Sequence, residues 1–187
     1  CGGKQKAMGE AITERDSLPV MTTLGVTTLI SDSGVTRYRV NTEEWMMYDR
    51  KKPSYWAFEK GVYMEQFDSI FNVEASIKAD TAYYYDKERL WKLIGNVDIQ
   101  NRKGERFNTE LLYWNEATQK VYSDKFIRIQ QPDRIITGHG FDSNQQMTIY
   151  TIRNIEGIFY VDEEASSGPP QPETKALPDS VNKDSAK

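Results

Sequence analysis

The feature that most constrains this chain is a two-residue alternation carried through one short segment after another. Val73, Ala75, Ile77 and Ala79 alternate with Glu74, Ser76, Lys78 and Asp80. Successive side chains of a strand leave opposite faces, so such a segment buries one face and wets the other. The same holds for Val97 and Ile99 against Asn96 and Asp98. It holds again for Ile127 and Ile129 against Phe126, Arg128 and Gln130. Met147, Ile149 and Thr151 continue it less regularly, and further strands fit near 34–42, 54–67, 106–114, 134–141 and 155–161. No segment after residue 20 keeps a helical period, so the predicted class is all-β.

Turn residues separate these runs at short intervals: Asp32-Ser33-Gly34, Asp86-Lys87-Glu88, Asn101-Arg102-Lys103-Gly104, Asn115-Glu116-Ala117-Thr118, Gln131-Pro132-Asp133 and Asp142-Ser143-Asn144. Short loops make sequential strands antiparallel neighbours. A weak repeat reinforces this: residues 79–84 align with 109–114, and 97–99 with 127–129, at one common offset, with a looser copy over 45–64. The reading is a meander of sequential hairpins closed into a sandwich, roll or barrel.

Charge and composition narrow the function. The net charge of −4 is spread along the chain, so no basic stripe stands ready to neutralise phosphates, and nucleic acid is not an expected partner. No run of about 18 apolar residues is present to span a bilayer as a helix. Residues 1–20 read as a flexible linker, 21–161 as the β domain, and 162–187 as a disordered tail that holds four of the seven prolines. Cys1 is the single cysteine. It reads as a lipoprotein cysteine carrying the lipid that tethers the chain to a membrane; the alternative is a chain boundary that merely falls there.

Little in the sequence suggests catalysis. His139 is the single histidine and lies between Gly138 and Gly140; a zinc or hydrolase site wants several converging ligands. The two glycines read as structural, marking a strand kink or a close backbone approach. The carboxylates Glu43, Glu44, Asp162, Glu163 and Glu164 lie among polar residues and read as solvated turns and edges. Tyr83, Tyr84, Tyr85, Trp91, Tyr113, Trp114 and Tyr122 read first as cross-strand packing and second as a platform for glycan or lipid headgroups. The chain is not expected to be an enzyme, nor to hold a metal or cofactor.

Several stretches carry a resemblance. They are Gly95-Asn96-Val97-Asp98-Ile99, the run from Gly104 through Thr109-Glu110-Leu111 to Trp114, Ser123-Asp124 within 121–129, Gly138-His139-Gly140-Phe141 within 136–144, and Gly157-Ile158-Phe159. In order and spacing they are similar to the LptC family of lipopolysaccharide-export proteins, within the OstA-like β-jellyrolls, over roughly residues 30–160. That resemblance implies an open, boat-shaped antiparallel β-jellyroll in the periplasm of a Gram-negative bacterium. It would bind lipopolysaccharide in an apolar groove and pass it from an inner-membrane ABC transporter to a periplasmic β-jellyroll bridge protein. Many members are anchored by an N-terminal helix; here Cys1 would substitute a lipid, with the inner membrane as the expected site. The groove residues expected on this reading are Ala75, Ile77, Ala79, Val97, Ile99, Ile127, Ile129 and Ile149, the alanines keeping it wide.

The strands expected at the open edges run near Val35–Val40 and Met147–Arg153, with Val35, Tyr38, Val40, Met147, Ile149 and Thr151 as the partner-edge residues. The main rival is a lipoprotein carrier or glycan-binding surface lipoprotein. A wide aliphatic interior would favour lipid transit, and a packed body with an exposed aromatic strip would favour the glycan reader.

Overall fold

The computed structural model describes residues 17–161. These form eleven strands and an all-antiparallel sheet: β1 Met21–Asp32, β2 Val35–Tyr48, β3 Tyr55–Phe58, β4 Val62–Phe67, β5 Val73–Ala79, β6 Thr81–Tyr85, β7 Leu90–Asn101, β8 Arg106–Asn115, β9 Lys120–Gln130, β10 Arg134–Asn144 and β11 Tyr150–Tyr160. The expected strands at 73–79 and 106–114 lie on β5 and β8. The expected strand at 54–67 is two, broken at Glu59 and Lys60 before Gly61 takes φ +88°. Cys1 and the residues from Asp162 onward lie outside the described residues, as do the readings that rest on them.

The pairing divides this sheet into two layers that share long strands. β2 pairs β4 through residues 38–42 and β3 through 46–48. β7 likewise pairs β6 through 90–94 and β5 through 98–101. Each long strand bends between its two halves. In β7 the bend is at Gly95 and Asn96, with φ +78° and +45°, where the register to β8 slips. Gly95 is required there: a Cβ would meet the Asp80 carboxylate at 2.9 Å, while the Gly95 carbonyl accepts from the Asp80 N–H at 3.0 Å. Such bulges bend a strand and raise its twist. Here they fold the sheet over on itself as an open β-jellyroll.

The repeat is present as register. Tyr85 pairs Leu90 and Asn115 pairs Lys120, each thirty positions on; Arg89 and Gln119, one residue before the returning strands, both turn at positive φ (51° and 55°). The expected turn at Asp142-Ser143-Asn144 is corrected. β10 runs to Asn144, whose side-chain oxygen accepts from the Thr148 and Ile149 N–H groups at 2.9 and 3.1 Å and holds the turn beyond it. Asn144 stabilises a turn, but the one after it.

Candidate functional site

The two layers face each other with different chemistry. The first presents aliphatic side chains: Val62, Met64, Ala79, Val97, Ile99, Ile127 and Ile129 are all buried. The second presents aromatics. Trp91 stacks on Phe58 at 5.5 Å and on Trp114 at 6.3 Å, and Trp45 and Trp56 pack beside them at 5.0 Å. All four tryptophans of the chain therefore lie in one layer. Contact across the gap is direct. Tyr38 meets Trp114 edge-on at 5.1 Å, and Phe107 meets Phe141 at 5.6 Å.

Of the eight groove residues expected, Ala75, Ala79, Val97, Ile99, Ile127 and Ile129 are buried, and Ile77 is half-buried against the core. Ile149 is a correction: it is 76% exposed, because it sits in the turn before β11 and points away from the interior. The interior is also not held wide. Phe107, Phe141, Leu93 and Leu112 fill it to zero exposure.

The layers are tied together at one side by a buried polar cluster that sequence reading missed. Asn101 donates to the Glu105 carboxylate at 2.7 Å and across the gap to the Met147 carbonyl at 2.8 Å. Its oxygen accepts from the Lys103 and Glu105 N–H groups. Glu105 further accepts from Gln131 at 2.7 Å and from the Tyr150 hydroxyl at 3.2 Å. Burial, then the charge of Glu105, pushes Tyr150 up to about 12, so it stays a donor. In sequence Asn101 and Gly104 mark a turn; nothing local says that this turn reaches a residue 46 positions on.

Farther along the same seam, beyond the Glu74–Arg102 ion pair, the layers part. A cavity of about 490 Å³ opens there, between Arg37, Gln66 and Phe67 of the first layer and Arg89, Gln119 and Gln145 on the turns of the second. Glu116, at the same mouth, accepts from Trp91 Nε1 at 2.9 Å and from the Tyr84 hydroxyl at 3.3 Å. Burial, followed by that carboxylate, pushes Tyr84 up to about 12.

The edges also differ from expectation. β2 is not an edge: Tyr38 pairs both Ile30 of β1 and Gln66 of β4, Val40 pairs both Thr28 and Met64, and Val35 pairs Asp32 across the hairpin. The open strand is β1, which pairs β2 alone. At the far end β11 pairs β10 alone and contains Thr151, whereas Met147 is buried in the preceding turn at φ +56°. Seventeen large hydrophobic residues are exposed among those described, and twelve lie on or beside these two strands, Leu24 (68%) and Tyr160 (71%) among them. Long, flat edges are normally blunted by Lys, Pro or short length. β1 is twelve residues long and has neither.

Gly138 and Gly140 shape the approach of β11. A Cβ on Gly138 would lie 2.3 Å from the Asn154 carbonyl oxygen, where the β10–β11 register shifts. Gly140, at φ +76°, leaves room for Arg153, which crosses to the Ser123 carbonyl of β9 at 2.6 Å. His139 is exposed, 2.6 Å from Glu156 and edge-on to Phe126. Among the described residues no group of three or more His, Cys, Asp or Glu converges for a metal ion. Outside the body, Tyr48, Tyr55 and Tyr83 form a strip with ring separations of 4.9 and 5.8 Å, and Tyr113 stacks on Tyr122 at 5.3 Å. Tyr84, Trp91 and Trp114, read together with these, instead belong to the interior.

The packed interior and the outer strip leave shape alone undecided between the rival readings. The sequence pattern of the family described as "Lipopolysaccharide-assembly, LptC-related" matches residues 16–158. The chain belongs to the LptC family. As an LptC-family protein it is a component of lipopolysaccharide transport, of a kind that works in the Gram-negative periplasm in association with the inner membrane, alongside the transporter and bridge proteins of that pathway. The family is one of transport and bridging proteins, not of enzymes. No curated protein matches the chain.

Proposed function

We propose that this LptC-family protein takes lipopolysaccharide from the inner-membrane ABC transporter between its two layers and passes it to a β-jellyroll bridge protein joined at an open edge. The observation that carries this reading is the pair of long unpaired edges at opposite ends of one strand order, bearing most of the exposed apolar surface. Unpaired N–H and C=O groups accept a partner strand, and flanking apolar side chains supply the rest of the joint. Each backbone hydrogen bond contributes a net of only about 0.5–1.5 kcal/mol, so a strand eleven or twelve residues long is the right scale. Acyl chains lie between the aliphatic and aromatic layers, which part along the seam beside the Asn101 cluster. The energy comes from the transporter's ATPase.

The test is capture of a bridge-forming β-jellyroll by proline variants at neighbouring positions, Thr27→Pro and Thr28→Pro on β1, Ile158→Pro and Phe159→Pro on β11. Alternate N–H groups point to opposite sides of a strand. One member of a pair should therefore lose capture while circular dichroism stays that of a folded β protein. Full capture by all four folded variants would remove strand addition. The glycan reader keeps one specific observation in its favour, the outer tyrosine strip; ligand contact at Tyr113 with none inside would select it.

A further inference from the structure

We propose that the mouth between the layers is a binding site for the phosphorylated sugar head of the lipid, with Arg37 as its main cation. This rests on the reading that acyl chains occupy the interior. The wall there carries two arginines and two glutamates, but three of these four charges are already engaged. Glu74 pairs Arg102 at 3.4 Å, and Glu116 pairs Arg89 at 3.5 Å besides its bonds to Trp91 and Tyr84. Arg37 is half-buried and, among the described residues, has no carboxylate within 4.0 Å and no hydrogen bond. Its neighbour on the same strand, Arg39, pairs Glu65 at 3.0 Å. A guanidinium left unpaired in a concave wall is suited to an anion, and its planar fork fits phosphate oxygens in pairs.

The rest of the wall specifies what carries the phosphate. The side-chain amides of Gln66, Gln119 and Gln145 make no hydrogen bond among the described residues, and each offers donors and an acceptor of the kind sugar hydroxyls need. The cavity, at about 490 Å³, is far larger than a bare phosphate requires and falls in the range of small-ligand sites. Its apolar lining, Tyr38 and Phe67, leads directly to Trp114 and the core. A charged, amide-lined mouth above an apolar interior has the polarity of an anionic glycolipid entering tail first.

The experiment titrates the full chain with phosphorylated lipopolysaccharide and with the same material after enzymatic dephosphorylation, following the fluorescence of the interior tryptophans. Arg37→Gln, Arg37→Lys and, as a control on the outer face, Arg128→Gln are compared with wild type after circular dichroism has shown each to be folded. Arg37→Gln should weaken binding of the phosphorylated ligand by about tenfold or more and of the dephosphorylated one by less than about twofold, with partial recovery in Arg37→Lys and no loss in Arg128→Gln. Equal affinity of wild type and Arg37→Gln for phosphorylated ligand overturns the head site and leaves the interior reading standing. Full competition by inorganic phosphate at the ligand's own concentration also overturns it, because the site would then be a simple anion pocket. Failure of wild type to bind either ligand overturns the interior reading, and this proposal with it.

Discussion

The Asn101 side chain spans the gap between the two layers and donates to the Met147 carbonyl at 2.8 Å, with both residues buried. That bond, with a second from Lys103 Nζ to the Thr148 carbonyl at 3.3 Å, joins the β7–β8 turn to the β10–β11 turn. It closes one stretch of the seam between the layers and leaves the neighbouring stretch, at Arg37, to open.

Asn101→Ala should therefore destabilise the fold strongly. It strands the Met147 carbonyl and the one Glu105 carboxylate oxygen that Gln131 and Tyr150 do not reach, at about 1–3 kcal/mol for each unsatisfied group. In a domain of this size that is a fall of roughly 5–15 °C in melting temperature. A fall of under about 2 °C would mean that the cluster does not hold the layers together.

Facing can be tested at adjacent residues of β9. Ile127 is fully buried and Arg128 lies on the outer face, bonded to Gln130 at 3.2 Å. Ile127→Ala should cost about 2–5 kcal/mol and Arg128→Ala less than about 0.5 kcal/mol in urea unfolding. Equal effects would mean that the register is wrong by one residue.

Much of the alternation that fixes this register is legible in the sequence. At Val97, Ile99, Ile127 and Ile129 the two-residue pattern and observed burial coincide, because each of these stretches has one solvated face. The first edge is not legible in the pattern. Leu24, Val26, Thr28 and Ile30 alternate too, but Gly25 and several threonines dilute the pattern, so the first strand is placed one element late. The end of the chain misled for another reason. Met147 and Ile149 continue an alternation in sequence while the backbone turns at φ +56°, a conformation fixed by hydrogen bonds to Asn144 that no periodicity contains. The mouth and the Asn101 cluster join residues far apart in sequence, and local pattern carries no trace of such contacts.

The glycine that admits β11 gives another test. Gly138→Ala puts a methyl against the Asn154 carbonyl oxygen, a backbone atom that cannot swing aside. β11 should loosen while the remaining strands hold. Hydrogen exchange should rise across Ile152–Tyr160, and capture of a partner at that edge should fall severalfold. Unchanged protection in β11 would show that the close approach is dispensable.

Acid stability should depend on Asp98. Hydrogen bonds from Arg106, including Nε at 2.7 Å, hold its carboxyl below the ordinary value of 3.8. A depressed carboxyl contributes stability that is present above that ordinary value and lost as pH falls through the folded one. Asp98→Asn should flatten the acid limb of the stability–pH curve below about pH 4 and leave its shape near pH 7 unchanged. An acid limb identical to that of wild type would show that the pair contributes nothing; screening keeps the expected effect small, since both side chains are partly exposed.

The most direct test of the central claim is site-specific photocrosslinking in living cells, with the adducts blotted for lipopolysaccharide. The probe is placed at Ile77 and Ile136, both partly buried against the core, and at Arg128 and Tyr113 on the outside. The account predicts lipopolysaccharide adducts at Ile77 and Ile136 and none at Arg128 or Tyr113. Adducts confined to Tyr113, with the interior positions silent in folded protein, would contradict it.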